Sequence, residues 1–343
     1  MKKVLLFSLA VAMVGCKAQK DKNVQTADPM EYANTITADE LKEHLYIFAS
    51  DEFEGRDTGE PGQKMAAEYL KNEYVQLGIP SPLGGDDYYQ EVPGSYFTRG
   101  TVKDTENVLA FIEGSEFPEE IVVISSHYDH VGIDDQGRIY NGADDDGSGT
   151  VAILEIAEAF QKAKEDGLGP RRSILFLNVT GEEKGLVGSR FYSENPVWPI
   201  ENHVTNLNID MIGRIGEGME DAGDYVYLIG SDRLSTDLHN ISEEVNEKYL
   251  QMNLDYTFND ENDPNRFYFR SDHYNFAKHD IPVIFYFNGV HEDYHKHTDT
   301  PDKIEYDLLE KRAKLVFLTA WGVANADEAP FVDNPTLTEE AAE

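Results

Sequence analysis

Three consecutive aspartates, Asp144, Asp145 and Asp146, lie in the stretch NGADDDGSGT and run directly into apolar VAILEIAEAF. Like charges at adjacent positions repel, and a surface turn tolerates this because water screens it. Here the run opens onto a segment apolar enough to be buried. Other carboxylates and imidazoles recur at the ends of apolar, β-branched runs. IVVISSHYDH brings His127 and Asp129, SILFLNVTGEEKG brings Glu182 and Glu183, and VTNLNIDMIG brings Asp210. The turn-rich EDYHKHTDTPDK adds His291, His295 and His297. Singly, each has a plainer explanation. An H-x-D pair is common on surfaces, a Glu pair complements a helix N-terminus, and an aspartate after a strand caps a turn. These explanations do not account for all the sets meeting at one edge of one sheet, and a metal centre does. Oxygen and nitrogen donors without thiolate suit zinc, manganese or cobalt. The supply exceeds what one tetrahedral ion needs. Two ions sharing a bridging carboxylate would use it, since three ligating carboxylates and a bridging hydroxide neutralise two divalent cations.

The elements that must position these groups alternate along the chain. Strands are predicted over 106–114, 119–129, 171–181, 204–214, 224–231 and 281–289 from their Val, Ile and aromatic content. Helices are predicted over 62–79, 148–164, 185–195, 235–251 and 307–326. The first presents Met65, Ala66, Tyr69, Leu70, Tyr74 and Leu77 on one face. This alternation predicts a three-layer α/β/α fold with a mixed, mostly parallel central sheet. Ligands of such sheets bind outside the carboxyl ends of the strands, where the candidate residues fall.

With 343 residues, 40% hydrophobic and 27% charged, the chain is globular in composition. Its net charge of −36 argues against nucleic acid or an anionic membrane surface as an electrostatic partner. The opening MKKVLLFSLAVAMVGC has the lysines, apolar run and small residues of a secretory signal. It ends at Cys16, the chain's 1 cysteine, which leaves no intrachain disulfide. AMVGC resembles a bacterial lipobox, which implies a lipid-anchored protein of the cell envelope, periplasmic or on the outer surface, meeting the membrane only through Cys16. The expected division is a lipoprotein signal over 1–16, a polar tether over 17–35, one catalytic domain over 36–327 and an acidic tail over 328–343.

His127-x-Asp129, GADDDGSG, GEEKGLVGS, NIDMIG and YH…DTPDK occur in the order found in the zinc aminopeptidase family that includes aminopeptidase Y and bacterial secreted leucyl aminopeptidases. ASDEFEGRDTGEPG also resembles that family's N-terminal segment, so the resemblance spans nearly all of 36–327. It implies a zinc-exopeptidase fold and a di-metal aminopeptidase, with two zinc ions per subunit (manganese or cobalt as substitutes). Carried over by position, His127, Asp145, Glu183, Asp210 and His295 would be the metal ligands, with Asp145 as the bridge. Asp146 stands where many members have asparagine. Asp129 would orient the His127 ring, Glu182 would be the general base and Tyr294 would help stabilise the oxyanion. The resemblance also implies a cis Asp145–Asp146 peptide. Asp272 and His273 are secondary candidates for the substrate pocket. Gly142 and Gly147 would let the backbone turn tightly around the ions, and the following helix N-terminus would help hold the negative charge.

The expected substrates are peptides with a free N-terminus, whose ammonium suits a carboxylate-rich site, and a monomer is favoured. Three other readings share the fold: a glutaminyl cyclase, a carboxypeptidase of the glutamate carboxypeptidase branch, and a non-catalytic receptor ectodomain. The carboxypeptidase needs cations for a terminal carboxylate, for which Arg190, Arg214 and Arg270 are available. The short stretch between YYQEVPGSYF and ENVLAFIEG leaves no room for a protease-associated domain insertion.

Overall fold

The computed structural model of the protein describes residues 28–335. The predicted signal, Cys16 and the end of the acidic tail lie outside the described residues. At the centre is β3 (Phe117–His127), whose run Ile121–Ile124 is fully buried because both sheet faces are covered. Its side chains split by strict alternation. Val122 and Ile124 enter one hydrophobic core, while Ile121 and Val123 enter the other. The neighbouring β6 (Arg172–Val179) divides the same way, with Ile174 and Phe176 opposite Leu175 and Leu177. Two cores on either side of one sheet make three layers.

The sheet has eight strands in the order β1-β2-β6-β3-β7-β10-β8-β9. The remaining members are β1 (Tyr89–Val92), β2 (Thr105–Ile112), β7 (His203–Ile209), β8 (Tyr225–Ile229), β9 (Asn253–Asp255) and β10 (Val283–Phe287). The pairs β6–β3, β3–β7, β7–β10 and β8–β9 are parallel, and the others are antiparallel. The sheet is therefore mixed, with a parallel centre. A separate two-stranded ribbon, β4 (Gly132–Ile133) with β5 (Ile139–Tyr140), lies in the loop after β3.

One face is covered by α1 (Pro29–Ala33), α2 (Ala38–Phe48), α3 (Pro61–Gln76), α4 (Gly149–Glu165), α6 (Thr236–Val245) and α8 (Tyr306–Asn325). The other carries α5 (Val187–Glu194) and α7 (His273–Ala277). Local signals start several of these helices. Asp28 caps α1 ahead of Pro29, Thr37 caps α2 by accepting from the Glu40 N–H, and Ser235 caps α6. Among the described residues no helix is long and apolar enough to cross a membrane.

The structure corrects several details. Residues 29–33, assigned to the tether, form α1 with Tyr32 and Ala33 buried, because Tyr32 stacks on Trp321 at 5.6 Å. The start of the tail also packs: the Asp333 N–H donates to the Leu234 carbonyl at 3.1 Å. Met65 is 41% exposed, and Gln63 and Ala67 take the buried positions of α3 instead. Helix α2 and the edge strands β1 and β9 were not predicted.

Arg56 ties the N-terminal region to the sheet. It is fully buried after Gly55, whose φ of 67 brings the backbone against the carbonyls of Gly132 and Tyr140. Its guanidinium donates to the carbonyl oxygens of Tyr128 at 2.9 Å, Phe48 at 3.1 Å, Asn141 at 2.7 Å and Gly142 at 2.9 Å. Burial lowers its pKa to about 10, against the opposing pull of Asp299 and Asp129, and it remains a cation. Arg56→Ala would strand these carbonyls, each costing about 1–3 kcal/mol when buried without a partner. The expected loss is about 3 kcal/mol or more in urea unfolding. A loss below about 1 kcal/mol would show that water replaces the guanidinium.

Candidate metal centre

The aspartate run sits in a tight irregular turn between β5 and α4. Gly142 opens it at φ 54, where a Cβ would lie 2.4 Å from the Asp145 carbonyl oxygen and 2.6 Å from the His130 ring. The Asp145–Asp146 peptide is cis. The flanking carboxylates hold the neighbouring loop. Asp144 accepts from the Gly213 N–H at 2.6 Å and contacts His291 Nε2 at 3.0 Å. Asp146 accepts from the Met211 and Gly149 N–H groups, each at 3.0 Å. Asp299, from the histidine-bearing loop, takes the Asp144 and Asp145 N–H groups at 3.0 and 3.2 Å. Of the three aspartates, Asp145 alone lines the pocket at this site.

Around it gather side chains from four loops. His127 Nε2, at the end of β3, lies 3.2 Å from Asp145 Oδ1 and 3.6 Å from Asp210 Oδ1. His295 Nε2 lies 3.0 Å from Asp145 Oδ2 and 3.2 Å from Glu183 Oε2. The five sequence-predicted ligands thus converge, with Asp145 between two subsets. Asp210 is steadied by the Ser271 hydroxyl at 2.6 Å. His127 Nδ1 meets the Asp129 carbonyl oxygen at 3.1 Å and stands 3.8 Å from its carboxylate. Asp129 thus meets the other ring nitrogen of His127 through its backbone carbonyl. The carboxylate instead accepts from Thr58 at 2.7 Å and from the Glu182 N–H at 3.2 Å.

His130 had no expected role, although it closes the quoted HYDH motif, three residues beyond His127. It is fully buried, with Nδ1 3.0 Å from Glu183 Oε1. His127, Asp145 and Asp210 form one group able to hold a metal ion, and His130, Asp145 and Glu183 form a second. The close pairs are not aligned as hydrogen bonds. His127 Nε2, Asp145 Oδ2, Glu183 Oε1 and both His130 nitrogens are buried without a hydrogen-bond partner. Buried polar atoms are normally paired, so donors aimed at shared space fit a cation. Nitrogen and oxygen donors without sulfur fit zinc.

The electrostatics show how tightly these groups are coupled. Burial and Asp145 push Glu183 up, yet His130 and His295 outweigh them and bring it down to about 2. Burial opposes a charged His295, but Asp145 and Glu183 carry it up to about 10. Glu182 behaves differently. Burial, with Asp210 and Glu183 nearby, raises its carboxyl well above the usual range despite His127.

Glu182 and Tyr294 line a pocket beside Asp145 and Asp210, walled by Met211, Phe267, Phe285, Phe287 and Val290. Tyr294 stacks on His295 at 3.9 Å between centroids, and burial keeps its hydroxyl protonated at ordinary pH. Asp272 and His273 do not line this pocket. Asp272 is buried on Ser189 and raised to about 7 by desolvation, while His273 packs on Phe285 at 4.8 Å and is lowered to about 3 by burial. His291 serves Asp144 and His297 lies against Tyr140, so neither joins the centre. Of the three arginines considered, Arg190 stacks on Tyr96 and Arg214 pairs with Asp293 at 3.1 Å; Arg270 borders the pocket.

The profile described as "Peptidase family M28" matches residues 107–320. Among solved structures, the chain is similar to the LapA aminopeptidase of Legionella pneumophila, with 21% identity, a TM-score of 0.67 and coverage of 96% of this chain and 81% of that one. It is also similar to BSAP, a zinc aminopeptidase from Bacillus subtilis, with 16% identity, a TM-score of 0.65 and coverage of 87% and 98%. These likenesses establish the zinc-exopeptidase fold. Curated relatives include a probable glutamate carboxypeptidase of Arabidopsis thaliana, 34% identical over 40% of this chain and 20% of its own length. Aminopeptidase NAALADL1 of Rattus norvegicus is 33% identical over 38% of this chain and 17% of its own length. The chain thus spans about a fifth of the length of the curated relatives it matches.

Proposed function

Because the chain belongs to peptidase family M28, we propose that it is a metal-dependent aminopeptidase that removes N-terminal residues from peptides using two zinc ions. The observation that carries this reading is the shared carboxylate. Asp145 turns one oxygen towards His127 and the other towards His295, at 3.2 and 3.0 Å. His127 and Asp210 would complete one position; Glu183 and His295 would complete the other, where His130 also stands 3.0 Å from Glu183. Bound there, divalent cations would lower the pKa of a shared water and polarise the scissile carbonyl.

The chain's own residues supply the rest. Glu182, in the pocket and outside both ligand sets, takes a proton from the attacking water and passes it to the leaving amine. Its N–H, held by Asp129, fixes where the carboxylate can reach. The protonated Tyr294 hydroxyl is available to the developing oxyanion. Carboxylates around the pocket favour the ammonium of a free N-terminus, which supports exopeptidase action.

The test is a panel of peptides with free or acetylated N-termini, given to metal-depleted and zinc-restored protein. Free termini should be cleaved only after zinc is restored. Equal cleavage of acetylated peptides would overturn the aminopeptidase reading, and pyroglutamate formation from a Gln-peptide would favour a cyclase. We further place the protein at the cell envelope, lipidated at Cys16, supported by the leader MKKVLLFSLAVAMVGC. Recovery of the mature protein in the soluble fraction, without added detergent, would contradict that placement.

A further inference from the structure

Arg270 follows the short turn Phe267–Phe269, and its guanidinium lies 4.9 Å above the Phe267 ring. It occupies a boundary. On one side is the enclosed aromatic pocket that holds Glu182 and Asp210. On the other is an open groove lined also by Arg99, Glu182, Glu183 and Phe269. This chain has 65 acidic residues against 29 basic ones, yet its described arginines divide between carboxylate partners and backbone carbonyls, the latter at Arg56 and Arg312. Arg138 pairs with Asp134, Arg171 with Glu116 and Arg172 with Glu120. Among the described residues neither Arg270 nor Arg99 has a carboxylate partner, and both face the groove beside the metal ligands.

We propose that Arg270 is the substrate-carboxylate receptor of this site, so the enzyme prefers peptides bearing a carboxylate next to the scissile bond. The inference rests on the peptidase reading above and names its substrate class. Its physical basis is local sign. Asp145, Glu182 and Asp210 line the same pocket and would repel a substrate anion, and Arg270 is the arginine that answers them there. Arg270 is itself exposed, so it can meet an incoming carboxylate, and a guanidinium fork suits the two-pronged geometry of that pair. Stacking on Phe267 holds the guanidinium plane in place.

The carboxylate could come from either side of the bond. An acidic N-terminal side chain would place it in the enclosed pocket. A terminal or side-chain carboxylate of the following residue would place it in the groove with Arg99. Two substrate pairs separate these sources: Glu- against Gln-aminoacyl reporters, and Leu-Gly against Leu-glycinamide. Each pair is given to zinc-loaded wild type, Arg270→Gln and Arg270→Lys. The expected result is a ratio of kcat/KM, carboxylate over amide, that falls at least tenfold in Arg270→Gln for one pair. It should recover partly in Arg270→Lys and weaken with added salt in the wild type. Calorimetric binding of the same four compounds to the zinc-loaded Glu182→Gln protein, with and without Arg270→Gln, gives a readout independent of turnover. If wild type cleaves none of the peptides, the peptidase reading fails, and calorimetry alone decides the role of Arg270. Ratios unchanged by Arg270→Gln in both turnover and binding would overturn the proposal.

Discussion

Glu182→Gln should retain wild-type zinc content while kcat falls by about 10²–10⁴-fold, the usual contribution of a positioned general base. The separation of these effects follows from where Glu182 stands. It lines the pocket with Asp145 and Asp210 but belongs to neither group able to hold a cation. Glutamine keeps the shape and the N–H bond to Asp129, and removes only the ability to accept and return a proton. KM should therefore change much less than kcat, because the loss falls on the transition state. A fall in kcat of less than about tenfold would remove Glu182 from proton transfer. Lost zinc would instead make it a ligand.

Asp145→Asn should give the complementary result. An amide keeps one oxygen acceptor and loses the charge, so it cannot serve both His127 and His295 sides. Zinc bound after dialysis, measured by elemental analysis, should fall below one ion per chain. Affinity should drop by more than the roughly 10–100-fold caused by altering groups that only orient ligands. The fold should survive, because the turn is held by Asp144, Asp146 and Asp299 rather than by Asp145. A full complement of zinc in this variant would refute the bridge.

The centre was legible because its donors sit where strands end. His127, Asp145, Glu183, Asp210 and His295 each follow or adjoin an apolar run, and the order of the short motifs resembled one family. The same logic located the parallel strands, whose continuous Val and Ile content signals burial on both faces. What escaped depended on three-dimensional neighbours. That Asp129 meets His127 Nδ1 through its carbonyl oxygen is a matter of loop geometry that no spacing encodes, and the expectation named only the ring it would orient. Asp272 and His273 were pocket candidates only because RSDHYNFAKHDIP resembles a loop of that family, and their buried packing against Ser189 and Phe285 fits the alternative, a structural role. His130 was in view but had no expected role. The edge strands β1 and β9 are four and three residues long, too short to leave a pattern. Residues 29–33 looked like tether because what marks them as part of the domain is distant in sequence: Tyr32 stacks on Trp321 and bonds to Asp166.

That stacking fixes the molecule's polarity. Helix α4 starts at the aspartate run and extends 17 residues away, roughly 25 Å at 1.5 Å per residue. Tyr32 meets Asp166 at its far end and Trp321 near the end of α8. The candidate metal site and α1 therefore lie at opposite ends of α4. Residue 28, where the described chain begins, thus enters the domain about one helix length from the aspartate run, on the side of the sheet layer where α4 ends.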